Sequence, residues 1–245
     1  MAIYNARAGQ VAYGYPLGML CAEWNVPFIP GDLNNAWTFD FPMRYQTVPG
    51  AVGSDVLSGQ GDQYADLFVR AAQALEAEGV RAITGNCGYM AAYQRQVAAS
   101  VNIPVFMTSL LQLPMLKSMI GPDEKVAVLC ASGSTLTPEL FNSIGITDLD
   151  GVVIRGMDEK PYFNEVYIQE KGTLDEDRVR TDVVATAKDM LKEHPNIGIF
   201  LFECSDLPPY SAAVYEETGI PVFDWAGFIR YVYDAVSPRK YTGLF

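Results

Sequence analysis

The sequence is poor in positive charge. Seventeen Lys and Arg stand against 29 Asp and Glu, a formal net charge of −12. A chain this acidic lacks the clustered cations that a phosphate backbone requires, so neither nucleic acid nor an anionic membrane surface is expected as a partner. No apolar run approaches the ~20 residues of a membrane span. The opening MAIYNARAGQ has no apolar centre of the signal-peptide kind, and the expected location is the cytoplasm. Histidine is nearly absent. The single His194 sits in KEHPN, where a helix runs out ahead of a proline, so it reads as a surface cap and leaves no Cys–His pair of the protease kind. The four cysteines, at 21, 87, 130 and 204, show no CxxC spacing. A structural zinc site has no support, and in a reducing compartment these residues are free thiols. PGDLNN (30–35) lacks the Lys-Ser/Thr of a P-loop, and no GxGxxG follows the first strand, so nucleotide cofactors also lack support.

What is present is an ordinary globular composition, 49% hydrophobic and 19% charged, long enough to bury a large core. Short apolar runs alternate with amphipathic stretches. The runs predict strands at Leu17–Ala22, Ala82–Asn86, Pro104–Met107, Val126–Ala131, Val152–Gly156, Ile197–Glu203 and Pro221–Asp224. Helices are predicted over Gln63–Glu78, Met90–Ser100, Leu110–Met119, Pro138–Ile144, Glu176–His194, Pro208–Thr218 and Trp225–Val236. This alternation implies βαβ units and parallel sheets.

An internal repeat is the most informative feature. NCGYMAAYQRQVAASVNIPVF (86–106) aligns without a gap on ECSDLPPYSAAVYEETGIPVF (203–223). Cys87 falls on Cys204, Tyr93 on Tyr210 and Ile103–Phe106 on Ile220–Phe223. A weaker echo, MLCA (19–22) and VLCA (128–131), precedes each copy. The reading is two pseudo-symmetric Rossmann-like α/β lobes. One spans 10–118 plus a C-terminal segment and carries Cys87; the other spans 122–237 and carries Cys204. In open parallel sheets ligands bind beyond the carboxyl ends of the strands. Each of these cysteines ends a strand, so the expected active site is the cleft between the lobes, with a thiol from each side.

A free cysteine is most often a buried, inert thiol, and Cys21 and Cys130, within or at the end of apolar runs, read that way. Cys87 and Cys204 are singled out by the repeat. Two opposed thiols suit acid/base work next to a carboxylate, one removing a proton and one delivering it. The charge that develops must be met by fixed donors. Candidates are Asn86 and Gly88 at the first thiol, Ser205 at the second, and Ser132, Ser134 and Thr135 after the strand with Cys130. Asp32 in the PGDLNN loop is a further candidate, and Arg44 a carboxylate clamp on its chemistry alone. Glu203 and Asp206 orient or deprotonate the second thiol, bind an ammonium group, or only cap the helix after it. Tyr93 and Tyr210 read as core.

TGNCG (84–88), IPVF (103–106), LLQLPML (110–116) and ECSDLPPY (203–210) together resemble the aspartate/glutamate racemase superfamily, which includes hydantoin racemase, maleate isomerase and arylmalonate decarboxylase. PGDLNNAWTFDFP (30–42) is similar to an early segment of one branch of it. The resemblance covers about 15–237. It implies a site between two lobes, no cofactor, Cys87 and Cys204 as acid and base, and a homo-oligomer. Where the glutamate racemases follow the second cysteine with Thr and His, this chain has Ser205 and Asp206. The expectation is a cofactor-independent racemase or epimerase, an isomerase, of a small carboxylate substrate. The alternatives on the same thiols are a cis–trans isomerase, a lyase or a decarboxylase, or a non-catalytic protein that binds a small acid.

Overall fold

The computed structural model describes residues 3, 5–8, 10–59 and 62–244. Its framework is two four-stranded, all-parallel sheets. The first is built from β1 (Leu17–Glu23), β2 (Met43–Val52), β3 (Ala82–Gly85) and β4 (Val105–Phe106), in the order β2-β1-β3-β4. The second is built from β5 (Lys125–Cys130), β6 (Val152–Gly156), β7 (Ile197–Phe202) and β8 (Val222–Phe223), in the order β6-β5-β7-β8. The two orders are the same, strand for strand, as a sequence repeat requires. β1, β3, β5 and β7 are the inner strands and are buried along nearly their whole length, which is why they read as unbroken apolar runs.

The sequence predicts seven strands, and β2 is the one it misses. MRYQTVPGAV breaks its apolar residues with Arg44, Gln46 and Thr47, is only partly buried, and carries Pro49 and Gly50. It lies at the edge of its sheet, where a strand needs only one partner and tolerates proline. Its pairing with β1 runs regularly from Leu17–Met43 to Cys21–Thr47, then slips before Glu23–Val52, and Pro49 and Gly50 fall in that slip.

The helices are α1 (Gly53–Leu57), α2 (Ala65–Glu78), α3 (Gln94–Ser100), α4 (Leu113–Met119), α5 (Pro138–Ser143), α6 (Pro161–Phe163), α7 (Glu176–Glu193), α8 (Ser211–Thr218) and α9 (Trp225–Val236). α6 runs on into a wider turn at Asn164–Ile168. α7 starts where Asp175 accepts the Arg178 backbone N–H, and Val179, Val183, Ala187 and Met190 form its buried stripe. His194 caps its end.

The last helix of each repeat crosses to the other sheet. After β4, the turn at Ser109–Gln112 and α4 pack on β7 and β5, and Ser109 Oγ donates to the Phe202 carbonyl at 3.0 Å. After β8, α9 returns to the first sheet, where Trp225, Ala226 and Ile229 bury against Leu17, Met19 and Phe106. Gln112 Nε2, donating to the Asp224 carbonyl at 3.3 Å, joins the two crossings. Arg230 and Arg81 pin α9 further by donating to the carbonyls of Thr38 and Val236. Among the described residues no helix is long and apolar enough to cross a membrane.

Because α9 supplies a wholly buried Trp225 to a sheet from the other half of the chain, Trp225→Ala is expected to cost about 3–5 kcal/mol. Urea denaturation should show this as a lower midpoint with a single transition. Two separated transitions would show that the lobes do not depend on the exchanged helices.

Candidate active site

Cys87 lies two residues beyond β3 and Cys204 two residues beyond β7, each just ahead of a helical turn, Gly88–Tyr93 or Pro208–Tyr210. Both border one small cavity. Its other walls are Trp24 and Phe28 from the loop after β1, Leu57 from α1, Asn86, Gly88 and Tyr89 around the first thiol, and Ala131, Glu203, Ser205 and Asp206 from the second lobe. All four cysteines are free and buried, but Cys21 and Cys130 lie outside this lining.

The acidic side of the cavity is built by close packing. A Cβ on Gly88 would sit 1.8 Å from Glu203 Oε1, so the Glu203 carboxyl lies across a backbone that only glycine allows. Glu203 Oε2 accepts the Ala131 N–H at 3.3 Å, while Oε1 has no partner. Burial pushes this carboxyl up to about 8. Beside it the Cys204 thiol donates to Asp206 Oδ2 at 3.3 Å. Asp206 is in turn in side-chain contact with Asp32, which is held by the Asn34 N–H at 2.7 Å from its Oδ1. Burial raises both carboxyls above the usual range, and the neighbouring Asp206 raises Asp32 further. Two touching carboxyls away from water cannot both ionise, so the pair shares a proton.

The thiols respond to the same surroundings. Burial raises both well above the ordinary range; Glu203 adds to this at Cys87, and Asp206 then Glu203 at Cys204. The backbone N–H groups of Tyr89 and Met90 pull Cys87 the other way. None of the lining residues is Lys, Arg or His. Burial with no basic neighbour therefore holds both thiols toward the protonated form. Among the described residues no cluster of three His, Cys, Asp or Glu side chains is arranged to hold a metal ion.

The structure brings together Cys87, Cys204, Asn86, Gly88, Ser205, Glu203 and Asp206 on one lining, with Asp32 just behind Asp206. The Asn86 carboxamide is spent on the end of β1, accepting from the Ala22 N–H at 2.9 Å and donating to its carbonyl at 3.4 Å. Ser132, Ser134 and Thr135 stand apart. The Tyr89 hydroxyl accepts the Ser132 N–H at 2.9 Å and donates to the Ser132 carbonyl, closing the cavity on that side. Ser132 Oγ is held by Asp158 at 3.0 Å, and Ser134 and Thr135 line a separate groove with Val56 and Tyr93. Arg44 lies on β2, outside the lining, and pairs with Glu78 at 2.7 Å. Tyr93 and Tyr210 are buried, the former stacked on Phe68.

Trp24, Phe28 and Leu57 are residues that sequence reasoning misses. Trp24 Nε1 donates to the Tyr167 carbonyl at 3.0 Å, and the next residue's N–H donates to Glu170 Oε2 at 2.8 Å, so the loop after β1 is tied to the second lobe over the cleft. The Trp24 ring packs against Gly53, where a Cβ would meet it at 1.8 Å. A glycine opening α1 without a left-handed backbone was the one local sign of that close approach.

Raised carboxyl pKa values have a cost in stability. Asp32, Asp206 and Glu203 all bind protons more tightly folded than unfolded. Their contribution is complete below the ordinary carboxylate range and is lost as pH rises, for Glu203 through about 8. The melting temperature is expected to fall between roughly pH 5 and pH 8, and Glu203→Gln should flatten part of that slope. A slope unchanged in the variant would show that Glu203 titrates as an ordinary surface acid.

No family model matches the chain. A dimethylsulfoniopropionate lyase of Durusdinium sp. clade D is 33% identical over 214 residues, covering 85% of this chain and 70% of that protein. Dimethylsulfoniopropionate lyases 6 and 7 of Emiliania huxleyi are 34% and 31% identical over 85% and 86% of the chain, which spans only 56% and 64% of their length. Among solved structures, a sulfate-associated variant of arylmalonate decarboxylase superposes with a TM-score of 0.60 at 16% identity, covering 91% of this chain and 94% of its own. Allantoin racemase of Pseudomonas fluorescens gives 0.60 at 12% identity, over 93% of this chain and 99% of that one. Glutamate racemase of Bacillus anthracis gives 0.58 at 13% identity, over 91% and 83%. The two-lobed fold is thus that of the aspartate/glutamate racemase superfamily, as the motifs around Cys87 and Cys204 implied. The expectation of a racemase, and of an isomerase generally, is overturned: racemases share the fold at 12–13% identity, whereas the relatives matching at 31–34% are lyases. On that similarity the chain belongs to the dimethylsulfoniopropionate lyase family.

Proposed function

We propose that the protein is a lyase that cleaves dimethylsulfoniopropionate, or a close sulfonium carboxylate, by β-elimination. The observation that carries this reading is that two thiols and an acidic lining meet in one cavity whose surroundings are unequal on its two sides. Racemisation uses two proton movements and profits from symmetry. Elimination needs one. A base takes the proton next to the carboxylate, its electron pair becomes the Cα–Cβ double bond, and the Cβ–S bond breaks. Dimethyl sulfide leaves with that bonding pair, and acrylate remains.

Cys204 is assigned as the base. Its thiol already donates to Asp206, which contacts Asp32. Asp206 accepts the thiol proton, the resulting thiolate takes the substrate proton, and the Asp206–Asp32 pair returns one proton to solvent after turnover. This is general base catalysis through a positioned relay. Charge developing on the substrate carboxylate falls to the Ser205 hydroxyl and the backbone N–H groups of the two turns. Cys87, with the N–H groups of Tyr89 and Met90 beside its sulfur and no carboxyl hydrogen bond, shapes the opposite wall.

The test is release of dimethyl sulfide into the headspace from dimethylsulfoniopropionate. Wild-type protein should release it, Cys204→Ala should lose about 10²–10⁴-fold in kcat, and Cys87→Ala should lose less. Asp206→Asn should lower kcat more than it raises KM. Failure of the wild-type protein to release the sulfide sinks the proposal, and a Cys87→Ala loss larger than that of Cys204→Ala reverses the assignment of the base.

A further inference from the structure

We propose that the cavity is a seat for an onium cation, a tertiary sulfonium or quaternary ammonium group, with Glu203 as its counter-ion and the rings of Trp24, Phe28 and Tyr89 as its walls. The inference deepens the lyase reading and rests on the same cavity. It assigns recognition to the cationic end of the substrate rather than to the carboxylate.

One carboxyl oxygen carries the argument. Glu203 Oε1 is fully buried, belongs to a residue that lines the cavity, and has no hydrogen-bond partner. Buried polar atoms are nearly always satisfied, so it points to a group the cavity is made to receive. No lining residue is basic. Asn86 is spent on Ala22, and apart from Ser205 and the two thiols the rest of the wall is aromatic, aliphatic or glycine, which suits a cation with methyl groups rather than one carrying several N–H donors.

The packing keeps this arrangement rigid. A side chain at Gly88 would displace the Glu203 carboxyl. Trp24 is fixed at both ends, by its Nε1 bond to the Tyr167 carbonyl and by its ring against Gly53. A ring held this way presents its face without paying side-chain entropy on binding. The seat also bears on the chemistry. A positive charge next to both thiols favours the thiolate, so the base forms when the substrate is in place. Without the cation the thiols stay protonated and unreactive toward oxidants and electrophiles.

The experiment is calorimetric binding of two non-reacting probes of the same shape. One is 3-(trimethylammonio)propionate; the other is 4,4-dimethylpentanoate, its uncharged carbon counterpart. A third probe, 3-aminopropionate, carries a hydrogen-bonding ammonium instead. The wild-type protein is expected to bind the trimethylammonium probe about tenfold tighter than either of the others. Glu203→Gln should shrink that preference to about twofold. Should Glu203→Gln fail to fold by circular dichroism, Phe28→Leu gives a second readout: weaker binding of the trimethylammonium probe with the carbon probe unchanged. Equal affinity for the charged and carbon probes, tighter binding of 3-aminopropionate, or a preference untouched in the variants overturns the proposal. Binding is read without turnover, so a protein that holds the onium probe yet releases no dimethyl sulfide keeps this inference and loses the lyase reading.

Discussion

Everything at the centre of this protein depends on acids kept out of water with no base beside them. Glu203 is pressed over Gly88, and Asp206 is locked between Cys204 and Asp32. In water three carboxyls so close would ionise and repel; here burial raises their pKa values, and Asp32 and Asp206 hold one proton between them. Their oxygens stay in place because Ala131, Asn34 and the Cys204 thiol hold them. The thiols inherit their state from the same burial. The site is thus an electrostatic deficit, held by the fold and relieved by whatever positive group enters it.

The fold can hold such a deficit because its two halves are interlocked. Each sheet is covered in part by a helix from the other half, α4 on the second and α9 on the first. The cavity lies between sheets whose separation those helices fix. The Trp24 and Asn25 bonds to the Tyr167 carbonyl and to Glu170 close it from above. Parallel strands supply the positions: the cysteines follow β3 and β7, at the carboxyl ends where backbone turns aside and side chains can converge.

Much of this was legible in the sequence, and what was not has particular causes. The inner strands announced themselves as apolar runs, and the repeat paired Cys87 with Cys204 before any coordinates. β2 escaped because an edge strand with one partner needs neither continuous apolarity nor freedom from proline. Trp24 and Phe28 escaped because their role is set by contact with residues far along the chain. Asp32 and Asp206 were each named, but their contact spans most of the molecule and no local pattern encodes it. Ser132, Ser134 and Thr135 had the right chemistry and the right strand end; the Tyr89 hydroxyl holds the Ser132 backbone, and Ser134 and Thr135 line a different groove. Reaction type was the hardest to read, since a pair of thiols serves several chemistries and fold alone does not choose among them.

The repeat has one more implication. At matched positions the first half carries Asn86, Gly88 and Tyr89 where the second carries Glu203, Ser205 and Asp206. Two identical subunits meeting about a symmetry axis would be obliged to place the same side chain on both walls, since a mutation in one is a mutation in the other. Joining the halves in a single polypeptide removes that obligation. One wall was then free to become acidic while the other made space for it, and a handed, one-way reaction needs just such inequality.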